Sequence, residues 1–224
     1  MNIKRAIALL AIPVATLAFV PAAFAQSDEP VEEEILDAAR QLFKTKGFSA
    51  TSTREIAAAA GLRQPTLFHY FKNKAAMMNA IALKAVEPEI EFLKNESESP
   101  QSPDIALYRY VRFVVYNLHT NPNVIGSPTR FPELTREDYP EFWQQYDLVR
   151  KTMQTLIGQG VKEGCFIDVD PKLASAQLFA LMEYTLDAPG SKSKANEAAS
   201  LAAKLVLRGL LVKTARIQKL EEAN

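Results

Sequence analysis

Cysteine is almost missing from this chain: Cys165 is the one thiol in 224 residues, which excludes an internal disulfide and a thiolate zinc cluster. The histidines are two, His69 and His119, far apart and outside any clustered ligand pattern, which argues against a histidine-rich metal site. There is no Walker loop and no dinucleotide glycine fingerprint. Two isolated histidines also assemble no convincing Ser-His-Asp set, so the sequence points away from an enzyme and calls for no cofactor. Charge of one sign is lacking as well, with 26 basic and 26 acidic residues, so the whole chain does not advertise a nucleic-acid partner. What is present, 48% apolar and 23% charged residues, is ordinary globular composition and excludes a disordered or collagen-like chain.

The zero balance hides a segregation. Lys4 and Arg5 form a basic tip, and Asp28, Glu29, Glu32, Glu33, Glu34 and Asp37 make the next stretch acidic. Between Arg40 and Lys84, eight basic side chains stand against Glu55 alone, a net +7, and the remainder of the chain is mildly acidic. Positive charge gathered into one short block is the footprint expected of a nucleic-acid-binding module inside a larger protein.

Residues 1–25 read differently. Lys4 and Arg5 precede an uncharged run from Ala6 to Ala25, interrupted by Pro13 and Pro21, that ends with Ala23 and Ala25 at the −3 and −1 positions before Gln26. This is the pattern of a secretory signal, and an acidic linker is expected over 26–34. An intact signal would export everything behind it, which conflicts with a chromosome-bound role. The expectation adopted is a cytoplasmic protein whose leader is either an upstream mis-assigned start, with Val31 one alternative start, or fails to export. An exported helical ligand-binding protein is the rival.

Beyond the linker, apolar residues recur at helical spacing. Ile35, Leu36, Ala39, Leu42 and Phe43 lead to a stop at Gly47. Ser52 or Thr53 can cap a short helix over Arg54–Ala60, Gly61 turns the chain, and a third short helix covers Gln64–Phe71 with Pro65 in its first turn. Two short helices joined by a glycine turn behind a supporting helix make a helix-turn-helix, with Ile56, Ala57, Ala60, Leu62, Leu67 and Phe71 inside. Further helices are expected at 74–94, 105–120, 141–163, 171–186 and 195–217. No strand alternation or internal repeat appears, so the fold class is all-α: an N-terminal three-helix domain over 29–89, motif 52–71, then a larger helical domain over 90–217.

The segment from Ile35 to Ile81 resembles the DNA-binding domain of the tetracycline-repressor (TetR) family of bacterial regulators. The matching residues are Ala39, Leu42, Phe43, Gly47, Thr53, Ile56, Ala57, Ala60, Gly61, Thr66, Leu67, Tyr70, Phe71 and Lys74. The resemblance implies a double-stranded DNA operator, a homodimer and a small-molecule effector, with repression the commoner outcome. A helix lying in the major groove offers its first residues to base edges, which makes Arg63, Gln64 and Thr66 candidates for reading sequence. Ser52 and Thr53 bring hydroxyls and backbone N–H groups suited to a phosphate. His69, Tyr70 and Lys74 are assigned to the DNA backbone, Tyr70 alternatively to the core and His69 to a solvated surface. Phe68 stands where similar proteins usually carry tyrosine, and so offers no hydroxyl.

Similarity to the family also implies a pocket between the middle helices. Candidate lining is Tyr108, Phe113, Tyr116, His119, Trp143, Tyr146, Met153 and Phe179, with Phe92, Val111, Phe166 and Met182 beside them; an apolar or aromatic effector suits it. Stripes Ala174, Leu178, Leu181, Met182, Thr185 and Ala198, Ala202, Leu205, Val206, Gly209, Val212 are the expected dimer face. A two-fold dimer with reading heads roughly 34 Å apart predicts a palindromic operator.

Overall fold

Ser52 opens the second helix with a reciprocal cap. Its hydroxyl accepts from the Glu55 N–H at 3.2 Å, and the Glu55 carboxylate accepts from the Ser52 N–H at 2.8 Å, satisfying donors that the first turn leaves unpaired. The computed structural model describes residues 29–98, 101–121, 124, 133–184 and 192–223, and the signal-like segment lies outside them. The helices described are α1 (Glu29–Lys46), α2 (Thr53–Ala59), α3 (Gln64–Tyr70), α4 (Lys74–Glu98) and α5 (Pro103–Thr120). They continue as α6 (Pro140–Lys162), α7 (Pro171–Tyr184), α8 (Lys192–Leu210) and α9 (Arg216–Ala223). The chain is all-α, and among the described residues one isolated bridge, Phe166 with Leu211, is the extent of β pairing.

Two differences from the expected elements have clear causes. The first helix begins at Glu29, taking in the acidic residues assigned to a linker. Glu33 and Asp37 there grip the buried Arg40, and Lys84 also reaches Glu33, so these carboxylates fold with the helix. Secondly, the long helix expected over 195–217 is broken into α8 and α9. Around Leu211 the backbone leaves helical geometry to pair outward: the Ile167 N–H donates to the Leu210 carbonyl at 2.8 Å and the Val212 N–H to the Cys165 carbonyl at 3.1 Å.

The chain divides into two compact units, with boundaries at Val86/Glu87, Asn121/Pro122 and Trp143/Gln144. In the first, Ile35, Leu36, Ala39 and Phe43 of α1 meet Ile56, Ala57, Leu67, Phe71, Met77 and Met78 in a core at most 6% exposed. Ala60 and Leu62, expected inside, are half-buried. Gly61 takes φ +67°, a left-handed conformation that makes the turn between α2 and α3 and is readily available only to glycine.

In the second unit α5 runs against α8. Ala195, Ala199, Ala202 and Ala203 are buried, and their small side chains let the two helices approach. Much of the stripe expected to face a partner is thus used internally: Leu178, Met182, Ala202 and Val206 are no more than 9% exposed. Thr185 of that stripe lies outside the described residues. Among the apolar residues left outside are Leu173 and Leu181 on α7, and Leu201, Leu205 and Val212 on α8 and just after it. Helical spacing places Leu201 and Leu205 on one stripe and Ala202 and Val206 on the next, and tertiary packing chose the latter for the interior. Gly160 admits the Phe166 ring so closely that a Cβ would overlap it, and Arg216 of α9 clasps the fully buried Asp104 of α5.

Candidate functional site

The helix-turn-helix is held by side chains that also stand on its outer face. The Gln64 side-chain amide donates to the Thr53 hydroxyl at 3.0 Å, joining the first residue of α3 to the first residue of α2. The Ser52 hydroxyl donates to Glu55 at 2.7 Å while capping α2. Hydrogen bonds from Lys46 and Ser52 hold the Glu55 carboxyl down at about 2. Arg63 occupies the cap position of α3 with no side-chain cap bond and is exposed, as are Thr66, His69 and Phe68. Leu67, fully buried, and Phe71 anchor the opposite side of the same helix. His69 and Tyr70 meet edge to face at 5.4 Å, with Tyr70 half-buried.

Lys74 has an internal task. Its ammonium donates to the carbonyls of Phe48 at 2.6 Å and Thr51 at 2.7 Å, and lies 4.4 Å from the centre of the Phe48 ring. Thr51, buried, returns its hydroxyl to the Gly47 carbonyl at 2.7 Å. Together they fasten the loop between α1 and α2, a contribution of Thr51 and Phe48 that the sequence did not reveal. The basic block is therefore of two kinds. Arg40, Lys46, Lys74 and Lys84 are tied into the domain, whereas Lys44, Arg54, Arg63 and Lys72 are exposed. Burial pushes the Glu33 carboxyl up, but hydrogen bonds from Lys84 and Arg40 outweigh it and hold it below the usual range.

The residues expected to line an effector pocket fall into separate places. Trp143 belongs to the first unit, where its indole N–H donates to the Leu134 carbonyl at 2.8 Å and Arg136 lies over its ring. Phe113 and Tyr116, with Phe92, line an open cavity of about 320 Å³ in the second unit, together with Arg109, Arg112, Asn196 and Ala199. Phe92 and Phe113 stack there at 4.5 Å. Tyr108, Val111, Met153, Phe166 and Met182 are buried core residues, and His119 carries a buried Nε2 with no hydrogen-bond partner among the described residues.

Tyr146 and Phe179, 6.2 Å apart, belong to a polar cluster built by four helices. The Tyr110 hydroxyl of α5 donates to Glu89 of α4 at 3.1 Å, and the Tyr146 hydroxyl of α6 donates to Glu183 of α7 at 2.9 Å. Arg150 lies 5.0 Å from the centre of the Phe179 ring and 5.8 Å from that of Tyr146. Burial pushes the Glu89 carboxyl up to about 7, with the Tyr110 hydrogen bond opposing the rise and the Glu183 charge adding to it. Burial likewise raises both tyrosines, reinforced by the neighbouring carboxylates. Glu89, Tyr110, Arg150 and Glu183 were not singled out from the sequence, because a carboxylate or arginine on an amphipathic helix ordinarily reads as solvated surface.

Residues 35–81 match the family described as bacterial regulatory proteins, tetR family. Over 52 residues the chain is 46% identical to the uncharacterized HTH-type transcriptional regulator YvkB of Bacillus subtilis, covering 23% of this chain and 28% of that one. Over 103 residues it is 32% identical to the tetracycline repressor protein class D of Escherichia coli, covering 41% of this chain and 46% of that one. These two matches span less than half of each relative. The solved structure of the TetR family transcriptional regulator PfmR from Thermus thermophilus is similar over 80% of this chain and 96% of its own, at 25% identity and a TM-score of 0.69. The helix-turn-helix segment thus matches the tetR family of bacterial regulatory proteins, and the helical fold that follows it is similar to that of a TetR family transcriptional regulator.

Proposed function

We propose that this protein is a dimeric repressor that reads a palindromic operator through α3 and leaves it when a small molecule binds in the second unit. The observation that carries the reading is the two-sidedness of α3: Leu67 is fully buried while Arg63 and Thr66 are exposed along the opposite face, beside half-buried Gln64. Arginine pairs bidentately with guanine and glutamine with adenine, and the threonine methyl suits a thymine methyl. Ser52, Thr53, His69 and Tyr70 hold the phosphate backbone, and Lys74 shapes the loop that presents them. The exposed stripe of Leu173, Leu181, Leu201, Leu205 and Val212 supplies the dimer face. Effector binding acts by favouring a head spacing that no longer fits the operator, since only differential affinity shifts such an equilibrium.

No helix among the described residues is long and apolar enough to cross a membrane. The site of action proposed is the cytoplasm. Purified protein should bind the duplex upstream of its own coding region in preference to random duplex, with affinity falling steeply as salt rises. Equal affinity for both duplexes would overturn the regulator reading. The Ala23-Phe24-Ala25 leader favours the rival, an exported helical binding protein, and a periplasmic native protein beginning at Gln26 would establish it.

A further inference from the structure

Glu89 is a carboxylate that folding alone does not ask for. It follows Pro88 in α4, sits between the buried Val86 and Ile90, and takes its one hydrogen bond among the described residues from the Tyr110 hydroxyl. Glu89 is half-buried, and its hydrogen-bond partner is a phenol, a weak counterweight to a partly desolvated negative charge. The groups acting on it are Tyr110 on α5 and Glu183 on α7, while Tyr146 and Arg150 on α6 act on Tyr110, and Tyr146 bonds Glu183.

Around these carboxylates the walls are aromatic. Tyr110 is 1% exposed, Tyr146 8% and Phe179 5%. The Arg150 guanidinium already lies over the rings of Phe179 and Tyr146, which marks the place as one that stabilises a cation through ring faces as well as carboxylates. Met153 and Met182, on the same two helices as Arg150 and Glu183, are buried and can repack around an apolar body.

Resting on the regulator reading above, we propose that the effector is an apolar or aromatic molecule carrying a cationic nitrogen, seated with its charge between Glu89 and Glu183 and against the rings of Tyr110, Tyr146 and Phe179. Glu89 supplies the uncompensated negative charge that selects the cation. Glu183 and Arg150 frame the site, and a ligand nitrogen competes with the Arg150 guanidinium for the same aromatic faces. The open cavity of about 320 Å³ is lined by Arg109 and Arg112 and by no carboxylate, so it does not offer the same cation site.

Three probes of one shape separate these cases: 4-phenylbutylamine, 4-phenylbutanol and 4-phenylbutanoate, titrated calorimetrically into the full protein at pH 8. The expected result is that the amine binds at least tenfold more tightly than the alcohol and the carboxylate, and that Glu89→Gln reduces the amine-to-alcohol ratio to near one. Glu183→Gln carries the same test if Glu89→Gln does not fold. Equal binding of the three, a preference for the carboxylate, an amine preference untouched by the substitutions, or no binding at all would each overturn the cationic effector. Binding to upstream duplex, measured separately without any probe, tells that failure apart from failure of the regulator reading.

Discussion

The hydrogen bond from the Gln64 side-chain amide to the Thr53 hydroxyl, 3.0 Å long, couples a residue proposed to read a base to the one at the start of the preceding helix. Orientation of a reading side chain by a neighbouring hydroxyl narrows the base edges it can meet. Replacing Gln64 with alanine should therefore alter preference at one operator position, at a cost of about 1–3 kcal/mol for the preferred base. Competition binding on single-position operator variants checks this. Equal losses at every position would remove Gln64 from base reading.

Lys74 calls for a different outcome. Because its ammonium is committed to the Phe48 and Thr51 carbonyls, Lys74→Met should lower stability by about 1.5–3 kcal/mol, the range for hydrogen bonds to a charged group. DNA affinity should fall alike for all sequences, with the salt dependence of binding unchanged. A salt slope reduced by about one would instead identify Lys74 as a direct phosphate contact.

The exposed leucines of α8 make the association testable. A Leu201→Glu, Leu205→Glu double variant should sediment as a monomer and lose operator affinity while keeping its helical circular dichroism, since both side chains are more than half exposed in the single chain. Persistence of the dimer would place the interface elsewhere.

Glu89 gives a pH dependence whose sign can be worked out. The folded protein keeps the proton on Glu89 up to about pH 7, whereas the unfolded chain releases it near the ordinary 4.5. Across that window the folded state binds more protons, so this group's contribution makes stability fall as pH rises. Glu89→Gln should melt like the parent protein at pH 4 and higher at pH 8, by about 1–3 kcal/mol. Parallel melting curves across that range would show that the carboxylate is not strained by burial.

Much of the first unit was legible in the sequence because its signals are local. Ser52 or Thr53 as a cap, Gly61 at a turn and Pro65 in a first turn each constrain backbone within a few residues, and helices α2 and α3 lie within one residue of their expected ends. The matches carrying the family resemblance lie in the same stretch. Along the rest of the chain, helical periodicity located the elements but not their partners.

Tertiary structure decided what periodicity leaves open. Ala202 and Leu201 are neighbours on α8, and it is the close approach of α5 that buries one and leaves the other outside. The helix expected to run on to Ile217 stops because the backbone at Leu211 and Val212 finds hydrogen bonds beside Cys165 and Ile167, residues distant in sequence. That the Lys74 ammonium also holds the Phe48 and Thr51 carbonyls is a contact that only the folded loop reveals. Nothing in the sequence marks Glu89, which packing sets beside Tyr110 and Glu183. The sequence by itself determined the helix-turn-helix and the approximate places of the longer helices, because those follow from contacts within a few residues. Which charges are spent inside and which remain to meet a ligand was decided by packing between distant segments, where burial and charge become properties of the assembled fold.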